Sequence, residues 1–165
     1  MRVRAVVSYD GTDYAGFQRQ ADVLTVQEAI ETALGEITQE SVRVIASGRT
    51  DAGVHAAGQV IAFDTSWGHG VAALKRALNA VLPDDVAAHE VEEASGDFHP
   101  RFDARRRHYR YQVLNGPIRW PMARRFRLHV PYALDAEVMG AAAEMLVGEH
   151  VCATFGQPPQ GSVTV

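Results

Sequence analysis

From Arg2 to Tyr9 the chain alternates, with Val3, Ala5 and Val7 on one side and Arg2, Arg4 and Ser8 on the other, the period of a strand with one buried face. The alternation breaks at Tyr9-Asp10-Gly11-Thr12-Asp13-Tyr14-Ala15-Gly16, where glycine and aspartate punctuate a loop. Thr25-Val26-Gln27-Glu28 then forms a capping box, and Val26, Ile30, Ala33, Leu34 and Ile37 recur at helical spacing, which predicts an amphipathic helix. Apolar and β-branched runs predict strands near 41–47 and 58–64. Val71 to Val81 reads as a second helix that Pro83 helps to end, and Val86 to Val91 as a fourth strand. The order β-α-β-β-α-β over the first 93 residues or so is that of a split βαβ unit. The predicted fold class is therefore α+β, with a ferredoxin-like, RRM-like N-terminal domain over residues 1–97.

Residues 98–165 read as a basic segment followed by the start of a second, similar α+β domain. Tyr109-Arg110-Tyr111-Gln112-Val113-Leu114 predicts a strand, and Asp135 to Val147 a helix whose buried face is Val138, Ala141, Ala142, Met145 and Leu146. Residues 156–162 read as a loop and Val163-Thr164-Val165 as a strand just starting.

Composition narrows the classes. The 165 residues are 47% hydrophobic and 22% charged, ordinary for a globular chain, and no apolar run approaches the roughly 20 residues of a membrane span. The N-terminus Met1-Arg2-Val3-Arg4 runs straight into strand-like sequence without a signal-peptide apolar region, so export is not expected. Cys152 is the single cysteine, which excludes intrachain disulfides and thiolate zinc sites, and the histidines show no helical metal spacing. A cytoplasmic setting without a metal is expected.

Charge is placed unevenly. Between Phe98 and Arg127 nine arginines face the single acid Asp103, a local balance of +8 in a chain whose net charge is −4. Arginine's planar fork suits phosphate and stacked bases, so this segment suggests a nucleic-acid partner.

The richest stretch for chemistry is Ser47-Gly48-Arg49-Thr50-Asp51-Ala52-Gly53-Val54-His55-Ala56-Ala57-Gly58-Gln59-Val60, an acid on a glycine turn between two strand-like runs. Asp51 either caps that turn or serves as a nucleophilic carboxylate, with Arg49 to orient it or hold a phosphate. Tyr109 and Tyr111 share a strand face and are either core or a base-stacking platform beside Arg105, Arg106, Arg107 and Arg110.

Four motifs in this order resemble the TruA family of tRNA pseudouridine synthases. They are Tyr9-Asp10-Gly11 with Tyr14, Gly16, Phe17, Gln18 and Gln20; Gly48 to His55 with Gly58-Gln59-Val60; Phe98-His99-Pro100-Arg101-Phe102; and Tyr109-Arg110-Tyr111. The resemblance runs from about residue 3 to about 155, through Leu146-Val147-Gly148-Glu149-His150, with Phe17 and His108 where the family often has tryptophan and arginine.

It implies the pseudouridine synthase fold and isomerisation of uridine to pseudouridine in the tRNA anticodon stem-loop, with no metal or organic cofactor, by a cytoplasmic homodimer. By motif, Asp51 matches the catalytic aspartate, Arg49 the arginine beside the flipped nucleotide, and Tyr109 the tyrosine stacked on the target base. Tyr9, Arg19, Gln20, His55 and Gln59 are implied as RNA contacts. So are Arg101, Arg105, Arg106, Arg107 and Arg110.

Family members continue past the point where this chain stops, through further strands and an arginine that pairs with the catalytic aspartate. The chain is therefore expected to be C-terminally short relative to the family. A tRNA-binding module without catalysis is the alternative reading, and an aspartate glycosidase is weaker because no second carboxylate pairs with Asp51.

Overall fold

A computed structural model describes residues 1–150. The expectations for 156–162 and 163–165 lie outside the described residues. The chain divides into two compact units, Met1–Arg110 and a second from Tyr111 onward.

The first unit is built on β1 (Arg2–Tyr9), whose alternate residues Val3, Ala5, Val7 and Tyr9 are buried as its pattern dictates. It pairs antiparallel on one side with β3 (Ala56–Asp64) and on the other with β4 (Val86–Ala94), while β2 (Ile45–Ala46) adds to the far side of β3. The sheet order is β2-β3-β1-β4. Helices α1 (Val26–Thr38) and α2 (Val71–Val81) contribute Ile30, Leu34, Leu74 and Leu78 to one core with Val3, Val7, Ile61 and Phe63. Both ends of α2 fall where the sequence puts them. Leu82 leaves the helix in extended backbone (φ −62, ψ 144), the conformation the following Pro83 imposes.

At the start of α1 the Thr25 hydroxyl accepts from Glu28 N at 3.4 Å, the first half of the predicted capping box. The Glu28 carboxylate itself meets Arg19.

One strand is shorter than expected. In place of 41–47, β2 holds Ile45 and Ala46 alone, because α1 side chains take the backbone groups of Val44. Val44 N–H donates to Glu31 Oε1 (3.0 Å) and Gln27 Nε2 donates to Val44 O (3.1 Å). With both groups bonded to the helix, Val44 has none left for a ladder.

The register of β1 slips twice near its end, between Val6 and Val7 against β4 and between Val7 and Tyr9 against β3. Such bulges bend a strand where its ladder terminates. Opposite the first slip, Asn79 of α2 takes both backbone groups of Ala88, accepting from its N–H (2.9 Å) and donating to its carbonyl (2.8 Å). Beyond β4, Phe98 O accepts two bonds from the Arg2 guanidinium, which also pairs with Asp64 at 2.6 Å.

In the second unit, β5 (Val113–Asn115) and β6 (Leu128–Val130) pair in parallel, followed by α3 (Ala136–Glu144). Asp135 caps α3 by accepting from Glu137 N and Val138 N. Two expectations need correction. The strand predicted over Tyr109 to Leu114 begins only at Val113: β6 pairs with Val113–Asn115 and reaches back only as far as Gln112 O, which accepts from Leu128 N at 2.9 Å, while Tyr111 is 95% exposed. The helix predicted to Val147 ends at Glu144, and Val138, Met145 and Leu146 of its expected buried face are exposed among the described residues. No helix of the described residues is long and apolar enough to cross a membrane.

Candidate active site

The loop that leaves β1 and the loop that enters β3 are laced together. Asp10 starts the first with an Asx-type turn, its Oδ1 accepting from Thr12 N (3.0 Å) and Thr12 Oγ1 (2.5 Å). Tyr14 is buried and donates to Asp85 Oδ1 at 2.6 Å; burial, then this carboxylate, push its phenol well above the usual tyrosine range.

Thr50 is where the two loops meet. Its carbonyl accepts from Phe17 N (3.0 Å) and its Oγ1 shares a hydrogen bond with the buried Tyr9 hydroxyl (2.8 Å). Burial raises the Tyr9 phenol above its ordinary value, partly offset by the bond to Thr50. Gly16 has φ +100, and a Cβ there would lie 2.7 Å from Thr50 O, so only glycine allows this approach. Gly11 is as constrained, since its Cβ would lie 2.0 Å from Val54 O. Gly11 N donates to His55 Nδ1 (3.1 Å), which also lies 3.0 Å from Asp10 Oδ1.

Asp51 opens the next turn. Its carbonyl accepts from Val54 N (3.2 Å), and Gly53 at φ +76 holds the position of a type II turn that needs positive φ. Gly53 N in turn donates to Tyr14 O at 3.2 Å. The backbone on either side of Asp51 is thus fixed while its side chain is exposed, and no hydrogen bond or ion pair to its carboxylate occurs among the described residues.

Upstream, Ser47 N–H donates to Val60 O (2.8 Å), and the Gln59 amide donates to Gly48 O and accepts from Ser47 Oγ (3.4 Å). Arg107 reaches the same point, donating to Ser47 O at 2.9 Å and lying against Gly48.

The residues picked out in the sequence therefore fall into two sets. Tyr9, Gln59 and His55 direct their polar groups inward and hold the two loops. Gln20 donates to Ala15 O (2.9 Å), and Arg19 lies between Glu28 and Glu31 at 3.2 Å from each, so its charge is already matched. Asp51, Arg49, Arg105, Arg106, Arg107 and Arg110 are exposed. Arg101 sits over the Phe102 ring, 6.0 Å from its centroid. No ion pair or hydrogen bond joins Arg49 to Asp51 among the described residues. Tyr109 is 70% exposed and makes no hydrogen bond or ring contact with the Asp51 loop among the described residues.

The sequence motifs include Thr50 and Gln27 without giving either a role, and Glu31 and Asp85 stand outside them. Their one local signal is polarity; what singles them out is partners far along the chain. Among the described residues no group of three or more His, Cys, Asp or Glu side chains could hold a metal ion.

This geometry places an exposed carboxylate on a glycine-held turn next to the start of β3 in an antiparallel sheet. Residues 5–103 match the tRNA pseudouridine synthase family, and the chain belongs to it. Over 154 residues it is 47% identical to tRNA pseudouridine synthase A of Brevibacillus brevis, covering 93% of this chain and 63% of that protein. The proteins of the same name from Geotalea uraniireducens and Geobacter sulfurreducens are 45% and 46% identical, with the same coverage. The chain thus spans a little under two thirds of the length of these relatives.

Proposed function

We propose that this chain converts uridine to pseudouridine in the anticodon stem-loop of tRNA, with Asp51 as the carboxylate that enters the reaction. The observation that carries this reading is the exposed carboxylate on a turn whose flanking residues, Thr50 and Gly53, are both tied to the loop after β1. Isomerisation breaks the N1–C1′ bond and forms a C5–C1′ bond; the proton at C5 leaves and N1 gains one. A carboxylate can assist by adding to C6 of the uracil or to C1′ of the ribose, and either requires the nucleotide to leave its stack. Arg49 is suited to the space beside the extruded nucleotide and Tyr109 to stacking on the base. Arg107, anchored to Ser47 by one bond, has the rest of its fork for a phosphate, and Arg101, Arg105, Arg106 and Arg110 extend that surface. Tyr9, Arg19, Gln20, His55 and Gln59 act in this reading by holding the loops that meet the RNA. No metal or organic cofactor enters.

The strand order and the β-α-β-β-α-β succession support a ferredoxin-like reading of residues 1–97. We place the chain in the cytoplasm with its tRNA and read it as a homodimer, which light scattering tests.

Tritium release from tRNA labelled at uracil C5 tests the reaction. Release by the chain and its fall to background in Asp51→Ala and Asp51→Asn are expected; equal release by all three overturns the role of Asp51. Tight tRNA binding with no release by any of them supports a non-catalytic RNA-binding module instead.

A further inference from the structure

The second unit contains a cavity of about 310 Å³ that the reaction above does not use. Its apolar lining includes Leu114 and Trp120, and its polar lining is Arg119, Arg124, Arg127 and His129. Leu114 and His129 face each other across the β5–β6 ladder. The single 3-10 turn Pro121–Ala123 folds the intervening segment back, with Ala123 N donating to Trp120 O and Arg127 N to Ala123 O, both at 3.0 Å. That turn brings Arg119, Arg124 and Arg127 to one opening.

None of these three arginines forms an ion pair with a carboxylate among the described residues. Like charges converging on one partly apolar cavity repel, and an anion relieves that repulsion best where the dielectric is lowest. Guanidinium forks match phosphate oxygens in pairs. Trp120 is 56% exposed, which leaves ring area for a second aromatic plane. A volume near 300 Å³ lies at the small end of ligand sites and suits one nucleotide rather than a duplex.

We propose that this cavity is a second RNA anchor, in which Trp120 stacks a base and Arg119, Arg124 and Arg127 hold the phosphates flanking it. The ligand is one unpaired nucleotide of an RNA strand, and the assignment rests on the reading that the chain acts on tRNA. The arginines belong to the stretch that carries +8 between Phe98 and Arg127, which favours a polyanionic strand over a free nucleotide.

The test is tRNA affinity as a function of salt, measured by fluorescence anisotropy for the chain and its Arg119→Gln, Arg124→Gln, Arg127→Gln, Trp120→Ala and Trp120→Phe variants. Each arginine replacement is expected to lower the slope of log affinity against log salt by about one. Trp120→Ala is expected to weaken binding roughly 5- to 150-fold with the slope unchanged, and Trp120→Phe to restore most of it. Wild-type affinity and slope in all the variants would overturn the anchor. A free-nucleotide site is checked in a Trp67→Phe background, where Trp120 fluorescence reports uridine monophosphate. Quenching by the mononucleotide with unaltered tRNA binding overturns the RNA assignment. Binding is read without turnover, so absence of tritium release together with the expected loss of slope in the arginine variants removes the catalytic reading and sustains the anchor.

Discussion

The Tyr9 hydroxyl and Thr50 Oγ1 lie 2.8 Å apart across 41 residues of sequence, and their bond fastens the end of β1 to the residue preceding Asp51. Tyr9 is buried by the alternation of β1, so the position of Thr50 is set by the sheet itself. Tyr9→Phe removes the bond and leaves the ring. Stability is expected to fall by about 1 kcal/mol in urea titrations. On the role proposed for Asp51, the kcat for uridine isomerisation is expected to fall roughly 10- to 100-fold with KM for tRNA unchanged, since a small displacement of that carboxylate acts on the chemical step. Thr50→Ser should keep near-normal kcat and Thr50→Val should not; equal kcat for both would separate Thr50 from the placement of Asp51.

Gly16 and Gly53 give a matched comparison. Both have positive φ, +100 and +76, yet a Cβ at Gly16 would strike Thr50 O while one at Gly53 meets nothing within 4 Å. Gly53→Ala is expected to cost about 1 kcal/mol from backbone strain alone, and Gly16→Ala about 1–3 kcal/mol more because Thr50 must also shift. Thermal melts measure the difference, and indistinguishable melting temperatures would remove the steric argument.

Gln27 is nine-tenths buried and serves three partners. Its Oε1 accepts from Arg19 N (3.0 Å) and its Nε2 donates to Val44 O and to Glu31 Oε1 (2.8 Å). Gln27→Leu keeps the volume and strips the bonds, leaving backbone groups in a partly buried place without partners. A loss of about 1–3 kcal/mol in urea titrations is expected, against a few tenths for the exposed Gln39→Leu.

Glu40 links stability to pH. Hydrogen bonds from the Ser66 hydroxyl, then the Ser66 N–H and the Thr65 hydroxyl, favour its ionised form and hold its pKa below the usual 4.5. A carboxyl lowered in the folded state stabilises above the unfolded pKa and loses that contribution as pH falls through the folded value. Glu40→Gln should therefore lower the melting temperature at pH 7, with the gap to wild type closing by about pH 2–3. A gap that persists at acid pH would assign the effect to packing rather than charge.

Local patterns made much of the first unit legible. The bounds of α2 follow from its apolar spacing and from Pro83, and the alternation of β1 places Val3, Val7 and Tyr9 in the core. β2 is shorter than its pattern predicts because β-branched residues alone cannot say whether a backbone faces a strand or, like Val44, the side chains of a helix. Tyr109 and Tyr111 share the parity of a strand, but a strand exists only where a second backbone meets it, and β6 meets Val113–Asn115.

The candidate site divides in the same way. The sequence alone determined that an acid stands on a glycine turn between strands, that an arginine-rich segment follows, and which family the motifs resemble, because these are matters of residue type and short spacing. Only the tertiary structure decided that Tyr9, Gln59 and His55 brace the loops, that Arg19 is matched by Glu28 and Glu31, and that Thr50 is the knot between two loops. Those roles depend on hydrogen-bond partners brought together by sheet register and core packing, and neither is written in any short window of the chain.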